Sequence, residues 1–353
     1  MKALILAGGE GTRLRPLTLS TPKAVVPVGN IPFLCYQIEL LRRHGICEVI
    51  LSLGYQPDKI EKVLGDGSAY GSRIYYVVEQ IPLGTAGAFK NAESLLQEAT
   101  VVLNGDILCD LDLSHVIAQH RSRNATATLV LTRVENPSAY GLVETEPDGR
   151  ITRFLEKPGK DEITCNTINA GIYILEPEVL QRIPAGQKFS FERGVFPALL
   201  QEQRPVYAYV SNGYWIDIGT PQKYMQVHQD ILAGRFRPLF ERESLLGANH
   251  HRNSTSDGSI IDEGSIIGKS VKLGKRVRIY SSCLGENCQI GDDTVIENSV
   301  IWPNANIGES AHLVGCILGK DCRIGSHATL ARGVLLGDGS MVTDYSFLPG
   351  KVD

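Results

Sequence analysis

A chain of 353 residues, 43% hydrophobic and 21% charged, is long enough to build two buried cores and has the composition of an ordinary globular protein. Its 35 basic against 39 acidic residues leave a net charge of −4, which excludes binding of a nucleic acid through a general basic field. Any phosphate must therefore be held by a local constellation, and no apolar run reaches the about 18 residues of a membrane-spanning helix.

The chain opens on a strand-like apolar run, Met1-Lys2-Ala3-Leu4-Ile5-Leu6-Ala7, with none of the marks of a signal peptide. Eight cysteines without a C-x-x-C pair or zinc-type clustering with histidine point to reduced thiols and a cytoplasmic setting. Strands are expected at Lys2 to Leu6, Glu48 to Leu53, Arg73 to Val78, Thr100 to Leu103, Ala127 to Arg133 and Ile172 to Leu175. Between the first two, apolar residues at helical spacing run from Phe33 to His44, with Gly45 as the C-cap. This alternation predicts an α/β fold: a Rossmann-like, mostly parallel sheet with flanking helices over 1–235, its ligand site beyond the carboxyl ends of the strands.

A polar stretch over 236–258, ending in His250-His251-Arg252-Asn253-Ser254-Thr255-Ser256, is read as a linker. From 259 to 353 aliphatic residues recur at fifteen positions from Ile261 to Val342, six apart except for steps of five at 279–284, 296–301 and 313–318. Glycine follows eight of them, and small or β-branched residues stand two before most. This is the hexapeptide signature of a left-handed parallel β-helix of about five coils, three hexads to a coil. Cys288, Cys316 and Cys322 occupy its small inward position, so packing accounts for them. His312 and His327 raise an acyl-transfer reading, for which five coils without an inserted loop look too short. Nothing in the sequence links the repeat to chemistry, and homo-oligomeric assembly is its expected role.

The strongest constellation directly follows the first strand: Leu6-Ala7-Gly8-Gly9-Glu10-Gly11-Thr12-Arg13-Leu14-Arg15-Pro16, then Thr21-Pro22-Lys23. Its glycines let backbone approach phosphates, and their N–H groups form an anion-binding nest. Arg13 adds a fixed fork of donors for the β- and γ-phosphates. The run lacks both the third glycine of a dinucleotide fingerprint and the Gly-Lys-Ser/Thr ending of a Walker loop.

With this opening the chain resembles the sugar-nucleotide pyrophosphorylases, most closely the mannose-1-phosphate guanylyltransferases. The likeness continues through Glu79-Gln80-Ile81-Pro82-Leu83-Gly84-Thr85-Ala86-Gly87, Leu103-Asn104-Gly105-Asp106, Phe154-Leu155-Glu156-Lys157-Pro158, Ile168-Asn169-Ala170-Gly171 and Trp215-Ile216-Asp217-Ile218-Gly219, so it covers essentially the whole chain. Ala24 departs from the second proline many members carry there, a change in loop stiffness alone. The resemblance implies a nucleotidyltransferase that joins a nucleoside triphosphate to a sugar 1-phosphate and releases pyrophosphate, with GTP and mannose 1-phosphate favoured.

The resemblance also implies the site residues. Arg13, Lys23 and Asp106 carry catalysis, and Asp106 with Asp217 holds Mg²⁺, a hard cation suited to carboxylates. Leu6, Ala7, Gly8, Gly9, Gly11, Thr12, Arg13, Glu79, Gly84 and Thr85 bind the nucleotide, and Gly141, Glu156, Lys157 and Asn169 the sugar phosphate. At Glu79 one carboxylate accepts from both the ring N–H and the exocyclic amine of guanine, where uracil or thymine offers an acceptor beside its N–H. Two other functions stay open: a uridylyl- or thymidylyltransferase acting on glucose 1-phosphate, and a regulatory, non-catalytic sugar-nucleotide-binding homologue.

Overall fold

The computed structural model describes residues 1–237 and 257–350, so the polar stretch expected as a linker lies almost wholly outside the described residues. Strand β1 (Ala3–Leu6) is followed by short 3₁₀ turns, by the paired β2 (Pro27–Val28) and β3 (Ile31–Pro32), and by helix α1 (Phe33–Arg43). Then come β4 (Glu48–Leu53), α2 (Pro57–Leu64), β5 (Arg73–Val78), α3 (Gly84–Asn91), β6 (Thr100–Asn104) and β7 (Ile107–Cys109). Helix α4 (Leu113–Ser122) precedes β8 (Ala127–Arg133), β9 (Gly141–Thr145), β10 (Ile151–Glu156) and β11 (Thr167–Leu175). Helix α5 (Phe196–Gln201), β12 (Val206–Val210), β13 (Trp215–Asp217) and α6 (Pro221–Leu232) complete this stretch.

The chain divides into two compact units, one of Met1–Glu10 with Leu34–Asp217, the other of Gly11–Phe33 with Ile218–Asp353. In the first, the sheet order is β10-β9-β11-β6-β1-β4-β5, with β8 paired to β11 and β12 to β8. The β1, β4, β5 and β6 pairings are parallel, as the alternating pattern predicts. The rest makes the sheet mixed: β11 runs antiparallel to β6, β8 and β9, and β10 to β9. The link 146–150 between β9 and β10 is far shorter than the dozen or so residues a parallel crossover requires, so that pair is antiparallel. A register shift in β11 between Asn169 and Ile172 interrupts its pairing at the Asn169-Ala170-Gly171 motif. Leu4, Val102, Leu129, Tyr173, Phe191 and Phe196 form the centre of this unit's core.

In the second unit, sheets of six, five and five parallel strands stack coil on coil. All fifteen expected inward positions fall in these strands, and Leu348 begins a further turn. Leu284, Ile296, Leu313, Leu318 and Leu330 are fully buried, each burial stabilising by roughly 1.5–3 kcal/mol. Cys288, Cys316 and Cys322 are buried and unpaired, and burial pushes the Cys316 thiol up to about 11. His312 and His327 are exposed.

Helix α6 starts at a Thr220 cap whose Oγ1 accepts from the Lys223 N–H, with Pro221 in the first turn. It buries His228, whose Nδ1 bonds the Tyr224 carbonyl at 2.8 Å and whose pKa burial lowers to about 4. Above pH 6.5 the ring is neutral folded or unfolded. Between 6.5 and 4 only the unfolded chain takes up the proton, so stability falls with pH, by roughly 3 kcal/mol at the lower end. Denaturant unfolding at pH 7 and pH 4.5 should show His228→Gln losing less stability on acidification than wild type.

Candidate active site

The carboxyl end of β1 opens into a cleft of about 330 Å³ lined by Leu6, Gly8, Gly9, Glu10, Gly54, Tyr55, the Glu79–Pro82 turn, Gly84, Thr85 and Ala88. A Cβ on Gly8 would lie 2.9 Å from Glu79 Oε1 and 3.3 Å from the Gly54 nitrogen, so only glycine lets the floor come this close. The Glu79 carboxylate is anchored: Oε2 accepts the Leu83 N–H at 2.9 Å and Oε1 the Ser52 hydroxyl at 3.0 Å. Each oxygen keeps a second lone pair. Gly84 and Thr85 line the cleft at the start of α3, whose Ala86 and Gly87 N–H groups donate to the Phe189 carbonyl at 3.1 and 3.2 Å. Ala7 does not line the cleft; its N–H is tied to the Ser52 carbonyl.

Asp106 stands in the tight turn between β6 and β7, and β7 pairs with β13 so that Asp217 lies opposite Ile107. The two carboxylates predicted as a pair thus sit one residue apart across neighbouring strands. Tyr140 donates to Asp217 Oδ2 at 2.9 Å. Gln37, buried in α1, donates from Nε2 to the Asn104 and Ile107 carbonyls, both at 2.8 Å, and so brackets Gly105-Asp106. Two carboxylates supply the hard oxygen donors Mg²⁺ prefers. Among the described residues no cluster of three or more His, Cys, Asp or Glu forms an all-protein metal cage.

Of the four residues assigned to the sugar phosphate, Gly141, Glu156 and Asn169 lie on the neighbouring strands β9, β10 and β11, and Lys157 directly follows β10. Gly141 faces Glu156 in the β9–β10 register, and a Cβ there would come within 3.0 Å of Glu156 Oε2. Burial, then the charge of Glu192, raises the Glu156 pKa, which makes its carboxylate a stronger acceptor. Lys157 is exposed in a left-handed conformation, φ 53°, its N–H held by the Tyr140 carbonyl. Asn169 Nδ2 donates to the Tyr173 hydroxyl at 2.7 Å and Oδ1 accepts the Gly171 N–H at 2.9 Å. Tyr173 donates to Glu192 Oε1 at 3.3 Å, and Thr85 to Glu192 Oε2 at 2.8 Å.

This network joins Thr85, assigned to the nucleotide, with Asn169, assigned to the sugar. The sequence pattern did not single out Glu192, Tyr173, Tyr140 or Gln37. Only Gln37 left a trace, as a polar residue between buried Leu34 and Leu41 on the apolar face of α1.

Gly11, Thr12, Arg13 and Lys23 belong to the second unit. Gly11 is left-handed at φ 65°, and a Cβ on it would meet the Lys23 Cβ at 2.9 Å, so glycine draws the two turns together. Thr18 closes them by donating to the Gly11 carbonyl at 2.7 Å. Thr12–Leu14 and Lys23–Val25 are 3₁₀ turns, with Arg13 exposed.

The same segment rests on the β-helix, a link the sequence did not disclose. Lys320 Nζ donates to Thr21 Oγ1 at 3.2 Å, Ser20 donates to Asp338, and Asn30 Nδ2 donates to the Leu284 carbonyl at 2.7 Å.

A family model described as Nucleotidyl transferase matches residues 2–234, and one described as EIF2B subunit epsilon LbH domain matches residues 249–347. The chain belongs to the nucleotidyl transferase family, with a left-handed β-helix after the catalytic region. It is 38% identical over 301 residues to the mannose-1-phosphate guanylyltransferase of Mycobacterium tuberculosis (strain ATCC 25618 / H37Rv), covering 83% of this chain and 82% of that protein. It is 44% identical over 228 residues to the mannose-1-phosphate guanylyltransferase catalytic subunit beta of Drosophila pseudoobscura pseudoobscura, covering 64% and 60%. Among solved structures, HddC from Yersinia pseudotuberculosis complexed with GMP-PN aligns at 31% identity and TM-score 0.56 over 64% of this chain and 97% of that one.

The cleft floor yields a direct expectation. Gly8→Ala should leave the protein folded but push the Glu79 carboxylate from its anchors, weakening nucleoside triphosphate binding about tenfold, or 1.4 kcal/mol. Titration calorimetry on the variant and wild type, without sugar phosphate, measures it.

Proposed function

We propose that this chain transfers a guanylyl group from GTP to mannose 1-phosphate, giving GDP-mannose and pyrophosphate. The observation that carries this reading is the Glu79 carboxylate, anchored by Leu83 and Ser52 beside Gly8 in a glycine-floored cleft. Its free lone pairs suit the adjacent N–H and amine of guanine. Relatives named for guanylyl transfer to mannose 1-phosphate, one matched over four-fifths of both chains, support the same choice.

The acceptor supplies its own nucleophile, so no serine, cysteine or histidine need attack. A phosphate oxygen of the sugar phosphate bonds to the α-phosphorus as the bond to the departing pyrophosphate breaks, and catalysis is positioning and charge neutralisation. The cleft backbone holds the nucleotide. Arg13 stabilises the leaving pyrophosphate and Lys23 offsets repulsion as the phosphates approach, each by a few kcal/mol. Glu156 and Asn169 orient sugar hydroxyls, Lys157 pairs with the sugar phosphate, and Gly141 leaves room for the ring. Asp106 and Asp217 would hold Mg²⁺, which supplies Lewis-acid neutralisation of the phosphate oxygens.

No helix among the described residues is long and apolar enough to cross a membrane. Unpaired cysteines and a nucleotide substrate favour the cytoplasm. Met341, Tyr345 and Phe347, exposed at the last coil, favour a homo-oligomer formed through the β-helix.

Asp106→Asn should fold normally and lose more than a hundredfold in turnover, read by pyrophosphate release from GTP and mannose 1-phosphate. Retention of substantial turnover would sink Asp106 as a ligand. Glu79→Gln turns one acceptor into a donor facing the guanine amine. The GTP-over-UTP ratio of kcat/KM should fall about five- to a hundredfold. A wild type preferring UTP or dTTP defeats the guanine reading. An unchanged ratio in the variant defeats only Glu79's part.

A further inference from the structure

The segment Pro16–Asn30, with Lys23 at its middle, is held on the β-helix at several points. At one end Gly337 leaves space for Pro16, since a Cβ there would lie 2.9 Å from Pro16 Cβ. Beside it, the Asp338 carboxylate accepts from Ser20 Oγ and, through Oδ1 at 2.8 Å, from the Lys320 N–H. Lys320 Nζ reaches Thr21 Oγ1 at 3.2 Å while lying 6.0 Å from the centre of the Trp302 ring. Trp302 Nε1 donates to the Tyr224 hydroxyl at 2.9 Å, and that hydroxyl donates to the Pro27 carbonyl. At the other end Asn30 bonds the Leu284 carbonyl, and the Cys283 thiol donates to Asn30 Oδ1. Thr21 and Pro22 are buried, whereas Lys23 is half-buried and Arg13 exposed.

We infer that Lys320 and Asp338 of the β-helix are positioning residues for nucleotidyl transfer, fixing through Thr21 and Ser20 where Lys23 and Arg13 stand. This rests on the function proposed above, in which those two cations serve the phosphates. A cation helps an in-line displacement only at a fixed place, and a misplacement of about 1 Å can cost about a hundredfold. The β-helix therefore acts on catalysis within one chain, whatever part it also has in assembly.

The test uses full-length Lys320→Met, Thr21→Val, their double variant, Asp338→Asn and Thr21→Ser, beside wild type and Lys23→Ala. Steady-state kinetics are measured with GTP and mannose 1-phosphate, and thermal midpoints are recorded. Lys320→Met, Thr21→Val and Asp338→Asn should each lower kcat/KM for GTP about tenfold, with the KM for mannose 1-phosphate within about twofold and the midpoint nearly unchanged. The double variant should be no worse than either single one, because both remove the same contact. Thr21→Ser, which keeps the hydroxyl, should retain most activity.

The inference is overturned if the single variants stay within twofold of wild type for GTP, if the double loss is the product of the single losses, or if Thr21→Ser falls as far as Thr21→Val. It also fails if activity declines only in step with the thermal midpoint, or if Lys23→Ala is as active as wild type. A wild type that releases no pyrophosphate with any sugar 1-phosphate overturns the proposed function, and this inference with it.

Discussion

A Cβ at position 54 would sit 2.9 Å from the Gly8 carbonyl oxygen, and a Cβ at position 8 would sit 2.9 Å from Glu79 Oε1. Two loops beyond the carboxyl ends of β1 and β4 thus meet backbone to backbone, and the cleft exists because neither carries a side chain there. That approach brings the Glu79 carboxylate to the floor, where Ser52 and Leu83 hold it. From the Leu83 turn the chain enters α3, and Thr85 in its first turn ties to Glu192, which ties in turn to Tyr173 and Asn169. One run of hydrogen bonds therefore connects the residues assigned to the two substrates. Networks of this kind in low-dielectric surroundings are rigid when satisfied and costly when any member is lost.

The parts of this architecture set by local periodicity were legible in the sequence. Strands β4, β5 and β8 have the bounds their apolar runs predict, and every inward position of the hexapeptide repeat lies in a strand. The repeat announces itself because each coil must present an aliphatic side chain at nearly the same step to close over its neighbour. What was not legible depends on contacts between distant residues. Strands β9 and β10 alternate weakly, with a register shift between Ile151 and Arg153, and of β11 only the Ile172–Leu175 end beyond its own register shift was expected. Glu192 reads as an ordinary surface charge beside Arg193, and only folding brings it to Thr85, a separation of 107 residues. Gln37 acts by bracketing a turn 70 residues away. The family motifs located Asp106 and Asp217, but the hydroxyl of Tyr140 on Asp217 could be found only in three dimensions.

The two candidate acidic ligands and the two candidate phosphate-binding cations are built by different means. Asp217 ends β13, which pairs with β7 in a two-stranded ladder, and Asp106 stands in the turn that leads from β6 of the large sheet into β7. Arg13 and Lys23 stand in short turns instead. Their segment consists of 3₁₀ turns and the two-residue pair β2–β3, elements too short to be stable alone. A flexible cation near a triphosphate neutralises charge on average, but it loses part of its effect to the entropy of ordering at each turnover.

Rigidity for that segment has to be borrowed, and a parallel β-helix is well suited to lend it. Each coil is hydrogen-bonded to the next along three sheets, and its interior is filled by stacked aliphatic side chains. The corners are fixed by residues held in the left-handed region, Asn287, Asn304 and Asp321 among them. Asn287 bonds Asn304 and Asn304 bonds Asp321 in a ladder down one corner. Such a stack resists bending because displacing one coil breaks its pairing with both neighbours. Pro16, Ser20, Thr21 and Asn30 each touch a different point of that stack, so the segment between them has few ways left to move. Under the proposed function the repeat contributes no group that touches a reacting atom, and the part inferred for it in the chemistry is the fixed address it gives to Lys23.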